Sequence, residues 1–360
     1  MEIGLHGKPD DLDEWAWRDL GVTWAKWPAT IDVDEPPDQR ADMERARELG
    51  LRVCVDMRIS PGELEKLGLT EMFRLQESGK AEAASAAATP AERGDIIRRN
   101  QRAAHEGVFE VLAERIRDFV TMHKDFCQDF EWWGEWRCPY TSQGCFHIIS
   151  YPELLKVCYR TVKDVHPAAR VWTGGNGMDL RDDWLIAILQ DDGGDYFDVT
   201  NWHPYPMDMR DAHAIATKQE EVYTENRTRL RELSHDQPYA STEWGYPVLR
   251  RVSKRMRTFL ESNIVRGGVS QLYPDEALEL YENDLAMMEK HNFEVVIVHM
   301  LRDSEGRHWG EKCGLLTHRP TSRSRQWLNR VLPGLEKKCT YELVKRWAAK
   351  GRAGRPAFGG

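Results

Sequence analysis

The sequence predicts an α/β fold, a single (β/α)8 barrel of the TIM type, and three observations support this prediction. Short apolar runs alternate with longer segments of helical apolar spacing along the chain, which is typical of repeated β–α units around a parallel sheet. Eight such runs can be counted, as this barrel requires. The 360 residues also suffice for one barrel domain with a large core. We therefore expect residues 1–335 to form the barrel and residues 336–360 to add a C-terminal helix and a short basic tail.

The strand candidates share high apolar content over five to nine residues, bounded by polar or turn-forming positions. They are Glu2–His6, Gly21–Trp27, Leu51–Arg58, Phe130–Glu135, Ala169–Gly174, Tyr196–His203, Pro238–Trp244 and Phe293–Leu301. Residues 295–298 of the last candidate are apolar at every position, as expected for a strand that is covered on both faces.

Helical segments occupy the gaps between these strands. Ser150 and Glu153 form a capping box ahead of apolar residues at helical spacing. A second start signal at residues 89–92 places proline at the first helical position. The apolar spacing over residues 108–120 predicts the helix that leads into the fourth strand.

One connection is longer than a minimal barrel needs. Residues 59–99 contain the alanine-rich run AEAASAAATPAE and follow the third strand. They are therefore expected on the face where barrel enzymes carry their active sites. This insertion is either a lid or rim of the site or a solvated loop without functional importance.

Composition limits the classes of partner. The formal net charge of -9 offers no general attraction to nucleic acid or to anionic lipid. No apolar stretch approaches the length of a membrane span, and the N-terminus lacks the features of a signal peptide, so we expect a cytoplasmic protein or a secreted one whose leader was removed. The seven cysteines form no disulfide framework and no CxxC zinc pair, although Cys138 and Cys145 could pair or remain thiols.

Tryptophans are concentrated at the strand ends. The chain has 14 of them, and eight lie at or just after the end of a strand candidate: Trp24, Trp27, Trp132, Trp133, Trp136, Trp202, Trp244 and Trp309. Indole rings bind the apolar faces of sugars, although each ring could equally pack in the core. The clustering favours a carbohydrate, neutral or weakly charged, as the ligand.

Polar side chains that could carry chemistry follow three strands. The fourth strand ends in EWWGEW, the sixth in NWHPYP and the seventh in STEWGYP. Because catalytic groups of this barrel lie at the carboxyl ends of its strands, one mouth should hold Glu135, His203, Tyr205 and Glu243. His203 and Tyr205 could instead belong to a proline-rich turn without ligand contact.

Two carboxyl groups across one site are what glycosidic hydrolysis requires, since one protonates the leaving oxygen while the other attacks the anomeric carbon. Trp133 and Trp136 would keep the Glu135 carboxyl protonated. His203 and Tyr205 would keep Glu243 ionised. A retaining mechanism implies that the two carboxyl groups lie about 5 to 5.5 Å apart.

At these motifs the chain resembles the clan A glycoside hydrolases, especially the β-xylosidase type of family 39, and also family 5. Trp133-Gly134-Glu135 partly matches the Trp-Asn-Glu context of the acid/base, and residues 242–245 (TEWG) match that of the nucleophile. Residues 195–205 are similar to the sixth strand and 313–328 to the segment that closes the barrel. The resemblance implies a retaining glycosidase acting on β-glycosidic bonds of a plant-type oligo- or polysaccharide.

The match has one departure. Gly134 stands where the clan has the asparagine that binds the sugar 2-hydroxyl. Another donor, such as Asn176 or Asn201, could cover that hydroxyl, or the substrate could be presented differently. Arg58, at the end of the third strand, could hold a carboxylate or a hydroxyl, or form a salt bridge.

The complete set of predicted site residues combines two catalytic glutamates, Glu135 and Glu243, with nine residues that contact substrate. Those nine are His203, Tyr205, Trp133, Trp136, Trp244, Arg58, Asn176, Asn201 and Trp309. We expect no metal and no other cofactor, and the oligomeric state is open.

Two alternatives use the same mouth. A metal-dependent sugar isomerase or epimerase would bind a divalent cation through carboxylates and imidazoles, here Glu135, Glu243, His203 and His299. A carbohydrate-binding barrel without catalysis would keep the tryptophans but lack a working acid, and Gly134 favours it.

Overall fold

The computed structural model describes eight strands, seven helices and several connections of the chain. The described residues are 1–9, 14–31, 35–59, 108–134, 150–175, 196–204, 212–232, 236–246, 248, 274–301, 314–316 and 337–353. They form eight parallel strands with helices between them, which confirms the predicted single (β/α)8 barrel.

The strands follow one another around the barrel in the order β5-β4-β3-β2-β1-β8-β7-β6. Their bounds are β1 Glu2–His6, β2 Trp24–Thr30, β3 Arg52–Arg58, β4 Asp129–Trp132, β5 Arg170–Thr173, β6 Thr200–Trp202, β7 Tyr239–Trp244 and β8 Phe293–Val298. Between β5 and β6 a parallel bridge joins Trp172 to Val199, and the Thr173 N–H donates to the Val199 carbonyl at 3.1 Å. This bridge brings the two ends of the sheet together.

The described helices pack around the strands. They are α1 Glu14–Leu20, α2 Arg40–Glu48, α3 Val108–His123, α4 Ser150–Val165, α5 Ala212–Glu232, α6 Pro274–Lys290 and α7 Cys339–Ala353. Helix α7 contacts β1, α1 and α6 through a buried face that includes Tyr341, Val344 and Trp347. It therefore packs onto the barrel itself, between the helices that follow β1 and β7. Within the described part of the chain, no helix has both the length and the apolar character needed to cross a membrane.

The barrel interior has an apolar lower half. Its buried residues are Trp24, Cys54, Trp172, Val199, Ala240, Val295 and Ile297. They come from alternate positions of their strands, because successive side chains of a strand point to opposite faces. Two positions further along the same inward series, toward the carboxyl ends, the residues become charged: Trp24 is followed by Lys26, and Cys54 by Asp56. Over two residues along these strands, the interior thus changes from a packed apolar core to a polar site.

The thiols of Cys54, Cys127 and Cys158 are free. The Cys138–Cys145 pair and nearly all of the 59–99 insertion lie outside the described residues.

A buried carboxyl group anchors the end of β7 to α6. Asp284 accepts hydrogen bonds from Trp244 Nε1 at 3.1 Å and from the Tyr246 hydroxyl, and it is fully buried. Burial raises the pKa of Asp284 from 3.8 to about 7, although both hydrogen bonds act in the opposite direction. The protonated form is therefore the one that the folded protein favours.

This carboxyl group makes stability depend on pH. Because the pKa is higher in the folded than in the unfolded chain, its contribution is complete below pH 4 and is lost as the pH rises toward 7. Asp284→Asn mimics the protonated form, so the variant should gain stability relative to the wild type over this range, by up to about 4 kcal/mol. Denaturant unfolding at several pH values measures the difference. Asp164→Asn, on the exposed side of α4, is the control. If the difference in the free energy of unfolding between Asp284→Asn and the wild type does not change with pH, the raised pKa of Asp284 is contradicted.

Candidate active site

The inward positions at the carboxyl ends of seven strands meet in one charged cluster. It consists of His6 (β1), Lys26 (β2), Asp56 and Arg58 (β3), Glu131 (β4), His203 (after β6), Glu243 (β7) and His299 (after β8). We call this set the mouth cluster. Parallel strands end at one face of the barrel, which is why residues so distant in sequence come together here.

Glu243 is the centre of the mouth cluster. A shift of register between Ser241 and Trp244 marks a bulge at the end of β7, and the Glu243 carboxylate faces the barrel axis with 7% of its side chain exposed. Nitrogen atoms of five described residues surround its two oxygens: Lys26 Nζ at 3.3 Å, Arg58 Nη2 at 3.5 Å, His6 Nε2 at 3.6 Å, His203 Nδ1 at 3.7 Å and His299 Nδ1 at 3.7 Å.

These neighbours decide the protonation state of Glu243. Burial by itself would raise the pKa of the carboxyl, but the Lys26 ammonium, followed by His203 and His299, outweighs burial and holds the pKa well below 4.5. Glu243 is therefore an anion at neutral pH. A buried, ionised carboxylate at the barrel mouth is the state that a carboxylate nucleophile needs.

Lys26 connects three carboxylates. Its Nζ lies 3.0 Å from Glu131 Oε2, 3.3 Å from Glu243 Oε1 and 3.7 Å from Asp56 Oδ2, and its side chain is fully buried. Burial would lower the pKa of Lys26, yet these three negative charges raise it above its ordinary value, so the ammonium stays charged. Lys26 thus compensates one of the three negative charges that the cluster brings into the barrel, and Arg58 compensates a second.

Asp56 and Arg58 form a pair on β3. Asp56 Oδ2 accepts from Arg58 Nε at 2.5 Å and also contacts Nη2, while Asp56 Oδ1 accepts from the Gly134 N–H at 2.9 Å. Burial would raise the pKa of Asp56, but Arg58 and Lys26 hold it below 3.8. The sequence left open whether Arg58 forms a salt bridge or contacts substrate. The structure shows the salt bridge and also places the guanidinium beside Glu243.

His203 links the two sides of the site. Its Nε2 lies 2.9 Å from Thr242 Oγ1 and 3.8 Å from Glu131 Oε1, and its Nδ1 faces Glu243. A side chain at Gly175 would collide with the imidazole ring, so glycine is needed there to leave room for His203. The predicted closeness of His203 to Glu243 is observed, whereas contact between His203 and substrate remains a prediction.

Asn201 is a predicted donor to the substrate, but in the structure its carboxamide is bonded to Thr242. Its Nδ2 donates to Thr242 Oγ1 at 2.6 Å, its Oδ1 accepts from the Thr242 N–H at 2.9 Å, and it is fully buried. The carboxamide ties β6 to β7 directly before Glu243, so it positions the strand rather than offering a donor to a sugar hydroxyl.

The two described tryptophans of the predicted substrate site also differ from expectation. Trp133 and Trp244 are both fully buried. Trp244 points to the outside of the barrel, where it packs on Tyr281 with ring centroids 4.6 Å apart and donates to Asp284. Trp133 packs edge-on against Trp132 and has a φ of 60°. Neither exposes an indole face to a ligand, because both belong to the core.

Five predicted site residues lie outside the described part of the chain: Glu135, Tyr205, Trp136, Asn176 and Trp309. Their roles, including that of Glu135 as the acid/base, remain predictions.

Sequence reasoning missed four members of the mouth cluster: His6, Lys26, Asp56 and Glu131. A usable signal was present, because each is a charged or polar residue at an inward position of an otherwise apolar strand. A charged residue in a strand that is covered on both faces needs a partner inside the barrel, and these residues partner one another.

His6 and His299 face each other near the opening, with ring centroids 5.1 Å apart. Burial, with further contributions from neighbouring positive charges, lowers the pKa of His6 to about 3, although Glu243 acts in the opposite direction. His6 is therefore neutral at physiological pH. Together with Glu243, the two imidazoles offer three ligand atoms within 4.8 Å of one another, which could hold a metal ion.

Glycoside hydrolases are among the solved structures that share this fold. A family 39 glycoside hydrolase from the gut symbiont Bacteroides cellulosilyticus WH2 matches with a TM-score of 0.57 at 15% identity, over 97% of this chain and 63% of that one. A Ruminococcus gnavus β-glucuronidase matches with a TM-score of 0.55 at 11% identity, over 97% of this chain and 50% of that one. A Ruminococcus gnavus β-glucuronidase in complex with D-glucuronic acid matches with a TM-score of 0.53 at 11% identity, over 96% of this chain and 49% of that one.

The chain thus spans between half and two thirds of the length of these structures. No family model matches it, and no curated protein matches it. At 11 to 15% identity the likeness establishes the fold. The chain shares the (β/α)8 barrel fold of these structures.

The compensating role of Lys26 can be tested through stability. Lys26→Met leaves three carboxylates without their shared cation, so the free energy of unfolding should fall by about 3 to 5 kcal/mol at pH 7. The loss should narrow as the pH approaches 4, because without the Lys26 ammonium the carboxylates of Asp56 and Glu243 take up protons more easily. Lys8→Met is the matched control: it removes an exposed ion pair with Asp42 and should cost no more than about 1 kcal/mol. If urea unfolding gives the same loss in the free energy of unfolding for Lys26→Met and Lys8→Met, Lys26 does not have this compensating role.

Proposed function

We propose that this protein is a retaining glycoside hydrolase that cleaves β-glycosidic bonds of a plant-type oligo- or polysaccharide, with Glu243 as the nucleophile and Glu135 as the acid/base. The observation that carries the proposal is the Glu243 carboxylate, which lies at the barrel mouth and is kept ionised by a buried ammonium 3.3 Å away. The shared fold with glycoside hydrolases supports the reaction class.

The nucleophilic step assigned to Glu243 agrees with its surroundings. An anionic oxygen attacks the anomeric carbon and forms a glycosyl-enzyme. Positive charge develops on the sugar in the transition state, and the carboxylate is placed to stabilise it. Lys26 and Arg58 keep the carboxylate ionised and oriented before the substrate arrives.

The acid role is assigned to Glu135 partly because other carboxyl groups of the site are unsuited to it. Asp56 is engaged by Arg58 and by the Gly134 N–H. Glu131 contacts Lys26 and accepts from the Gly175 N–H at 3.1 Å. Both are fully buried. Arg58 and Lys26 hold the pKa of Asp56 below 3.8, which favours an ionised carboxylate rather than a proton donor. Glu135 follows directly on Gly134, whose N–H is bound within the mouth cluster.

The reaction class is tested by a screen of aryl β-glycosides and plant polysaccharides, with the first product followed by proton NMR. Net retention of the anomeric configuration is expected, as the first step inverts the anomeric centre and the second inverts it again. A first product of inverted configuration would overturn the double-displacement mechanism.

The role of Glu135 is tested by the dependence on the leaving group. Glu135→Ala should slow kcat/KM about 10²- to 10⁴-fold on glycosides with poor leaving groups, and much less on dinitrophenyl glycosides, because only poor leaving groups need the proton. Glu220→Ala, an exposed glutamate on α5, should change neither rate. If both kinds of substrate lose activity to the same degree in Glu135→Ala, Glu135 is not the acid.

A second candidate function is a metal-dependent sugar isomerase or epimerase on the same barrel. The His6, Glu243 and His299 ligand atoms favour it, since two imidazoles and one carboxylate are a common set for divalent transition metals. Two permanent cations oppose it, because Lys26 and Arg58 lie within 3.5 Å of the same carboxylate and repel a metal ion.

Elemental analysis separates the two candidates. The glycosidase proposal expects purified protein to hydrolyse its best aryl glycoside at an unchanged rate after dialysis against EDTA. Stoichiometric metal, together with loss of activity on chelation and recovery on metal addition, would favour the isomerase. His6→Ala should then abolish metal binding, while Glu220→Ala should not.

A further inference from the structure

The mouth cluster occupies the space that a side chain at position 134 would need. A Cβ atom built on Gly134 would lie 2.7 Å from Asp56 Oδ2, 3.0 Å from Glu131 Oε1 and 3.1 Å from Arg58 Nη2. The absence of a side chain at this position is therefore coupled to the presence of the Asp56–Arg58 pair.

The Arg58 guanidinium is held in one orientation. Asp56 binds it through both Nε and Nη2, and Asp56 is itself fixed by the Gly134 N–H at 2.9 Å and by Lys26 Nζ at 3.7 Å. A two-point contact of this kind fixes both the position and the plane of the group. Arg58 is thus an oriented donor rather than a mobile surface cation.

Arg58 also faces the reacting position. Its Nη2 lies 3.5 Å from Glu243 Oε1, and 18% of its side chain is exposed, whereas Lys26, Asp56 and Glu131 are fully buried. Among these four β2–β4 residues, Arg58 is therefore the group that a ligand in the mouth can reach. It is charged at every physiological pH.

We propose that Arg58 donates a hydrogen bond to the oxygen substituent at C2 of the sugar bound against Glu243, and that it thereby selects 2-hydroxy over 2-deoxy sugars. The inference rests on the proposed glycosidase function. If Glu243 attacks C1, the C2 substituent is adjacent to the attacking oxygen, within reach of a donor fixed beside it. Hydrogen bonds to this hydroxyl strengthen in the transition state of glycoside hydrolysis, so the contact contributes to rate as well as to binding.

The donor chemistry narrows the substrate class. A guanidinium donates and cannot accept, so it requires an oxygen acceptor at C2. The proton of the 2-hydroxyl must then be accepted by another group, and the Glu243 carboxylate is close enough to Arg58 for one hydroxyl to contact both. A sugar without oxygen at C2 leaves Arg58 facing the substrate with its donor unused.

The test compares two substrates on two enzymes. The probes are the aryl β-glycoside that the wild type hydrolyses best in the screen and its 2-deoxy counterpart. Arg58→Gln should lower kcat/KM on the 2-hydroxy glycoside about 10- to 100-fold more than on the 2-deoxy glycoside, which is the range for a hydrogen bond to a charged group. Arg40→Gln is the matched control, because Arg40 also pairs with an aspartate two residues earlier, on the exposed surface. It should change neither rate.

The outcomes separate the inference from the function on which it rests. Equal losses on both substrates would overturn the assignment of Arg58 while leaving the glycosidase intact. Hydrolysis of neither substrate by the wild type, with no other glycoside cleaved in the screen, would overturn the proposed function itself.

A second measurement does not depend on the folding of the variant. For the wild type alone, the rate acceleration over spontaneous hydrolysis should be at least 10-fold larger for the 2-hydroxy than for the 2-deoxy glycoside. Equal accelerations would overturn the inference. Arg58→Lys, which keeps the charge but loses the two-point contact with Asp56, should show an intermediate preference.

Discussion

A single buried ammonium group makes the rest of the site possible. Lys26 lies inside the barrel, within 3.7 Å of carboxylate oxygens of Asp56, Glu131 and Glu243. Three negative charges in a water-poor interior would take up protons or destabilise the fold without a permanent counter-charge. With Lys26 in place, Asp56 and Glu243 stay ionised, and Glu243 has the charge that the proposed nucleophile needs. The ionised state of Glu243 and the stability of the barrel therefore both depend on the contacts between Lys26 and these carboxylates.

The remaining groups adapt to this centre. Arg58 supplies a second positive charge and is oriented by Asp56, while Gly134 leaves the space that this pair needs. Gly175 leaves the space for His203 in the same way. Small residues at strand ends thus permit charged side chains to approach one another closely, which is how an apolar barrel accommodates a polar mouth.

The sequence was sufficient for the barrel, because runs of apolar residues report burial directly, and β1 has the predicted bounds Glu2–His6. It also placed Glu243 at the end of the seventh strand. It failed for Trp244, since the bulge that follows Ser241 turns the indole toward α6, and a bulge has no marker in this sequence. Lys26 is harder to recognise in the sequence, because its partners come from strands far away in the chain.

The central claim is that Glu243 is the nucleophile, and a trapped intermediate tests it most directly. Incubation with a 2-deoxy-2-fluoro aryl β-glycoside that carries a dinitrophenyl leaving group should stop the enzyme as a stable glycosyl-enzyme. Peptide mass spectrometry should then find the sugar on Glu243. A label on Glu131 or Asp56, or full activity with no covalent adduct, would contradict the account.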